Sequence, residues 1–321
     1  MKPLVTLVAV FVSLCSGTCF AQEFPTRAIR IVVPYAAGGL PDTMTRLVSQ
    51  PLSQSLGQPV LVENRGGAGA IPGTEQALRS PADGYTLLIT DVGQVAINPH
   101  LFSKLSYDPL KDLVPVSLIG TSTLFLTVNS SLGVNNFKEY IALMKSGPGK
   151  YNYGSSGIGS VLHLAMEALN TAFDLKLVHV PYKGSGESVP ALLGGQVTLV
   201  YASLPSIAAH VKSGKLKMLA ASAPVRSPQA PEVPTVAELG VPGYDFQPEI
   251  GLSAPAGTPG GIVSRISAEV ARAVKLPDVV QRFNDLGIVP AGTSPEAYGA
   301  MIRAAYERYA RIVKISGAKV E

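Results

Sequence analysis

Residues 154–160 read Gly-Ser-Ser-Gly-Ile-Gly-Ser and run directly into the helical pattern Val161-Leu162-His163-Leu164-Ala165-Met166. The first turn of a helix carries backbone N–H groups without intrahelical partners, and the positive end of the helix dipole lies there. Glycines let a bound group approach the backbone, and serines add hydroxyl donors, so this loop suits an anion. Three better-known loops are excluded by the letters. Gly154 and Gly159 have P-loop spacing, but Ser160 and Val161 stand where Lys and Ser/Thr are required. Gly154 and Ser156 begin a hydrolase elbow, but Ile158 takes its last glycine position. Gly157-Ile158-Gly159 is followed by Leu162, which breaks the dinucleotide fingerprint. An anion site and a plain flexible turn capped by Ser160 both stay open at this point.

Other residues that could do chemistry are sparse. His100, His163, His179 and His210 lack the spacing of a zinc site. His163 is expected to bond a nearby carbonyl rather than to serve a catalytic serine. "PYAAGGLPD" (34–42) repeats the pattern of strand, glycine pair and helix start, with Asp42 read most simply as the N-cap. "TDVGQ" (90–94) and "PYKGSGE" (181–187) are two further loops expected after strands. "ENRGGAGAIPG" (63–73) reads as a tight strand-to-helix turn, because Pro72 breaks a nucleotide spacing.

These loops need a scaffold, and the chain supplies one. β-branched runs at 29–35, 60–65, 86–90 and 114–119, then at 124–128, 177–180, 197–201 and 216–220, alternate with helical patterns. Helices are expected at 42–56, with Pro51 kinking or interrupting it, and at 160–170, 187–193, 205–213, 259–275 and 295–315. Such alternation predicts parallel α/β sheets covered on both faces, with ligands at the loops that follow the strands.

Met1-Lys2, the apolar run Leu4–Leu14 and Cys19-Phe20-Ala21 read as a secretory signal peptide cleaved before Gln22. Periplasmic export is the expectation. Both cysteines, Cys15 and Cys19, fall inside that leader, so no disulfide or Cys-ligated metal is expected in the mature chain. The net charge of +4 includes Lys2, and only 15% of the residues are charged. No basic run is dense enough to follow a phosphate backbone, so nucleic acid is not an expected partner.

Several stretches together resemble one family, the periplasmic solute-binding receptors of tripartite tricarboxylate transporters, the Bug receptors. They include "FPTRAIRIVVPYAAGGLPDTMTR", "SLGQPVLVENRGGAGA", "PADGYTLLIT", "YDPLKDLVPVSLI", "GPGKYNYGSSGIGSVLHLAMEAL", "HVPYKGSGESVPALLGGQV" and "PEVPTVAELGVPGYD", in the family's order. The resemblance implies a Venus-flytrap fold of type II character, two α/β domains joined by two crossing strands. Residues 22–122 and 245–321 would form the first domain and 123–244 the second. It implies no enzyme activity and no cofactor, a monomer that binds a small carboxylate, and integral-membrane permease subunits as partners. By this resemblance Tyr35, Ala37, Gly38, Gly39 and Asp42 form one side of a carboxylate clamp. Ser155, Ser156, Gly157, Gly159 and Ser160 form the other, and Ser203 joins the ligand site. A receptor that presents its ligand to a membrane sensor is the alternative. An exported serine hydrolase using Ser156 or Ser160 with His163 is a second one.

The chain departs from relatives at two positions. Ala202 stands where they often carry Asp, and Glu249 where many carry Trp. If both face the cleft, losing the acid disfavours a ligand ammonium in the usual pose, and Glu249 repels a second ligand carboxylate. A monocarboxylate, or a ligand with a neutral or hydrogen-bond-donating far end, is then expected over a plain dicarboxylate.

Overall fold

The computed structural model describes residues 24–316, so the expected leader and its cleavage before Gln22 lie outside the described residues. Two sheets organise the chain. The first has six strands in the order β11-β4-β10-β3-β1-β2: β1 (Ile29–Val33), β2 (Val60–Asn64), β3 (Thr86–Thr90), β4 (Leu113–Ser122), β10 (Glu249–Pro255) and β11 (Ile288–Pro290). The second has five in the order β7-β6-β8-β5-β9: β5 (Leu124–Asn129), β6 (Asn152–Ser155), β7 (Val178–Pro181), β8 (Leu199–Ser203) and β9 (Leu216–Ala221). Each sheet with its covering helices is called a lobe below.

The expectation of purely parallel sheets is corrected. β1 pairs parallel with β2 and β3, and β6 with β7 and β8, but β10 runs antiparallel between β3 and β4, and β5 antiparallel between β8 and β9. β10 and β5 lie next to the crossings between lobes, and β11, antiparallel to β4, is a third exception at the edge of the first sheet. β4 ends at Ser122 and β5 starts at Leu124, so one extended run leaves the first sheet and enters the second. The chain returns through residues 222–248. Ser222 ties both crossings together: its N–H donates to Leu124 O (2.9 Å) and its hydroxyl to Phe246 O (2.8 Å). The resulting α/β architecture, two sheets joined by two crossings, is that of the two-domain flytrap fold.

Helix α1 (Leu40–Leu56) starts two residues before the expected start at 42, with Gly39 as its N-cap, and it stays helical through Pro51. It stops at Gly57, whose left-handed φ of 67° suits glycine. α2 (Ile71–Leu78) follows the glycine-rich turn as expected, and a short α3 (Asn98–Leu101) follows β3. α4 (Phe137–Ser146) and α9 (Pro277–Asp285) went unexpected in the sequence. The other helices match within about two or three residues: α5 (Val161–Phe173), α6 (Ser185–Leu193), α7 (Leu204–Lys212), α8 (Gly260–Ala273) and α10 (Pro295–Ser316). A core of Ile31, Val33, Met44, Ile89, Ile250 and Val270 fills the first lobe, and one of Phe125, Leu192, Val200 and Ile207 fills part of the second. No helix among the described residues is long and apolar enough to cross a membrane.

Candidate functional site

The carboxyl ends of the parallel strands in both lobes point at one another. Tyr35 follows β1, Asp91 follows β3, Ser156 follows β6, Ser185 opens the helix after β7, and Ser203 ends β8. All five line a cavity of about 30 Å³ between the lobes, closed on the crossing side by Pro248. That is the room of one or two water molecules, so anything larger enters only if the lobes part.

The lobes meet directly around this cavity. The amide of Ala36 donates to Lys183 O at 3.1 Å, and the Ser206 hydroxyl to Gly38 O at 3.4 Å. Gly69, in the glycine-rich turn of the first lobe, sits so close to the second lobe that a Cβ there would come 2.6 Å from Ile158 O. Glycines at these positions let the two backbones touch.

In the first lobe, Tyr35 is buried and donates its hydroxyl to Asp91 Oδ2 at 2.7 Å. Burial, and then the Asp91 charge, push the phenol well above its ordinary pKa, so it stays neutral. Asp42 is not an N-cap. It sits in the first turn, is 4% exposed, and accepts from the amide of Gly38 (2.9 Å), from Arg46 Nε (3.0 Å) and from Asn64 Nδ2 (3.0 Å). Burial works to raise its pKa, but these donors outweigh it and hold the carboxyl below the usual range. Its carboxylate therefore fixes the shape of the 35–39 loop. Leu40 and Pro41 line the cavity, whereas Ala37 and Gly38 are exposed and Gly39 packs near Ser185.

In the second lobe, Ser155 is fully buried behind the loop, where its hydroxyl meets His179 Nε2 at 2.6 Å. It does not line the cavity. Ser160 is the N-cap of α5: its hydroxyl accepts from the amide of His163 and donates to Gly157 O at 2.7 Å. Its one proton is thus committed to the loop. Gly157 and Gly159 adopt φ of 116° and 82°, left-handed values that shape this turn. The His163 ring bonds no carbonyl among the described residues, contrary to expectation; its Nδ1 lies 3.4 Å from the amide of Gly159, which donates to it. The ring stacks on His179 with centroids 4.2 Å apart, and Tyr153 stacks on the far face of His179. Burial lowers the pKa of His163 to about 4, and burial with the neighbouring His163 lowers that of His179 to about 3. Two neutral imidazoles thus brace the Gly/Ser loop from behind.

The hydroxyls of Ser156, Ser185 and Ser203 make no hydrogen bond with any described residue, and all three residues border the cavity. Three donors without a partner, opposite a tyrosine and an aspartate, can grip one polar group and orient it. The sequence missed Ser185 and Asp91 as site residues, although "PYKGSGE" and "TDVGQ" were marked as loops that follow strands.

Glu249 and Ala202 correct the sequence reading. Glu249 begins β10, and pleating sends it to the face opposite Ile250, which lines the cavity. Its carboxylate pairs with Arg308 Nη2 of α10 at 3.3 Å. Ala202 is fully buried in the core with Phe125 and Leu192. Neither residue faces the cleft, and a selection against dicarboxylates based on Glu249 falls with that geometry.

A family model described as "Tripartite tricarboxylate transporter family receptor" matches residues 44–318. The chain belongs to this receptor family. Protein BugT of Bordetella pertussis is 35% identical over 100% of this chain and 99% of that protein. The structure of the periplasmic binding protein BugD superposes with a TM-score of 0.89 at 30% identity, covering 93% of this chain and 100% of that one. Rpa4515 of R. palustris, solved with adipate, superposes with a TM-score of 0.89 at 32% identity over 92% of this chain and 99% of that one. Members of the tripartite tricarboxylate transporter receptor family are solute-binding proteins, and BugD is periplasmic.

Proposed function

We propose that this chain captures a small carboxylate in the cleft between its lobes, in the periplasm, and hands it to the integral-membrane permease subunits of a tripartite transporter. Residues 22–122 and 245–321 move as one domain and 123–244 as the other, about the Ser122–Leu124 and 222–248 crossings. The single observation that carries this reading is the set of Ser156, Ser185 and Ser203 hydroxyls, uncommitted among the described residues, at the interlobe cavity. They donate to one ligand carboxylate, and the α5 N-terminus behind them adds its dipole. Asp42 and Ser160 hold the two loops in register, and Tyr35 with Gly39 and Pro41 closes the first-lobe side. The adipate bound to Rpa4515 supports a carboxylate as ligand.

The same geometry disfavours the hydrolase. His163 receives the amide of Gly159 on a ring nitrogen, and Ser160 meets the His163 backbone, not its ring. A thermal-shift screen of the purified chain against small carboxylates tests the reading. A ligand at a hundredfold excess over its Kd adds about 2.7 kcal/mol of stability, a melting shift of several degrees. The ligand should be recovered unchanged; turnover would support the hydrolase instead.

A further inference from the structure

Among the described residues that line the interlobe cavity, Asp91 is the only Asp, Glu, Lys, Arg or His. It is 5% exposed and forms no ion pair with any described cation. Its partners are neutral: the Tyr35 hydroxyl on Oδ2 at 2.7 Å, the amide of Gln94 on Oδ1 at 3.2 Å, and the backbone amide of Gly93. Three donors leave the carboxylate with acceptor capacity to spare. Tyr35 has given its only proton to Asp91, so its own oxygen can only accept. This corner of the cavity therefore offers acceptors and negative charge. The opposite wall, with the Ser156, Ser185 and Ser203 hydroxyls, offers donors.

The geometry points to a zwitterionic ligand, whose carboxylate faces the serines and whose cationic nitrogen is received by Asp91 and the Tyr35 oxygen. This rests on the receptor reading above and names the ligand class for that site. A dicarboxylate would bring two negative charges beside a buried third, with no cation in the wall to balance them. Burial raises the Asp91 pKa against its hydrogen bonds from Tyr35, Gln94 and Gly93, the direction expected of a carboxylate that lacks its counter-ion. A ligand cation supplies that counter-ion when the lobes close. The chain thus differs in its preference from Rpa4515, solved with a dicarboxylate.

The test is calorimetry on the purified chain with matched sets that differ only at the distal group. One set is 4-aminobutanoate, pentanoate and glutarate; a second is L-valine, 2,3-dimethylbutanoate and isopropylmalonate. In at least one set the zwitterion should bind tenfold or more tightly than its monocarboxylate partner, and more tightly still than the dicarboxylate. Asp91→Asn, which keeps the shape and the Tyr35 contact, should erase that preference and improve dicarboxylate binding, with circular dichroism confirming the fold. A wild-type chain that prefers glutarate or isopropylmalonate overturns the zwitterion and leaves the receptor standing. The same holds if Asp91→Asn leaves the ranking unchanged. Binding by no member of either set overturns the zwitterion, and the wider carboxylate screen then decides the receptor reading by itself.

Discussion

The amide of Ala36, in the first lobe, donates to the carbonyl of Lys183, in the second, at 3.1 Å. A backbone bond across the cleft means that the lobes are in contact, with the small cavity between them. Gly186 makes that contact sterically tolerable, because a Cβ there would run into the Ala37 carbonyl. Gly186→Ala should therefore fold normally, since the collision lies only between lobes, but should not close. Small-angle scattering should give a larger radius of gyration than wild type under saturating ligand, with affinity reduced at least tenfold. An unchanged radius and affinity would mean that closure does not use this contact.

The hydroxyls at Ser156 and Ser203 separate binding from structure. Each donates to a charged acceptor in the proposed complex, so Ser156→Ala or Ser203→Ala should cost about 1.5–3 kcal/mol, tenfold or more in Kd by calorimetry. Ser160→Ala removes a helix cap and should cost about 1 kcal/mol of stability. Its effect on affinity should be the smaller one, because its proton already serves Gly157 O. The reverse ranking would place the ligand against Ser160.

The stacked histidines set a pH dependence of stability. Above about pH 6.5 both rings are neutral in the folded and unfolded chains and contribute no slope. Below it the unfolded chain takes up protons that the folded rings refuse until about pH 4 for His163 and about 3 for His179. Stability therefore falls as the pH drops from about 6.5 toward 4, by at most about 1.4 kcal/mol per pH unit for each ring. His179 is partly exposed, so its share is less. Melting curves at pH 7.0, 5.5 and 4.5 should show wild type losing more degrees than a His163→Asn/His179→Asn double variant. Parallel losses would mean that the rings titrate normally.

Glu249 and Arg308 form a half-buried ion pair on the far face of β10. Arg308→Ala leaves the carboxylate unpaired and should cost on the order of 1 kcal/mol in denaturant melts. Glu249→Gln should leave the relative affinities of mono- and dicarboxylates unchanged. A shift in that ratio would return Glu249 to the ligand site.

The parts of the fold legible in the letters were those where physics is local. β3 was bounded correctly because Leu87, Leu88 and Ile89 form an apolar run between Thr86 and Thr90, and Gly57 marked the end of α1. β10 was missed because "EIGLSAP" mixes glycine, serine and alanine, and it becomes a strand only by pairing on both edges with distant β3 and β4. Without that strand there was no pleat to show that Glu249 and Ile250 face opposite ways. Asp42 misled for a similar reason: Leu40-Pro41 starts the helix early and moves the acid from cap to first turn. The Gly/Ser loop left an anion site and a capped turn both open, and which of its serines keeps a free hydroxyl depends in part on His179, which is brought to Ser155 by strand pairing 24 residues away.

The central claim is that a carboxylate is held, unreacted, between the two lobes by the second-lobe serines. The most direct measurement is calorimetric titration of wild type and Ser156→Leu with whichever small carboxylate gives the largest thermal shift. Wild type should bind with saturating one-to-one stoichiometry, and the ligand should be recovered intact. Ser156→Leu, folded by circular dichroism, should lose binding because its side chain fills the cavity. Equal affinity in the two proteins, or consumption of the ligand, would contradict the account.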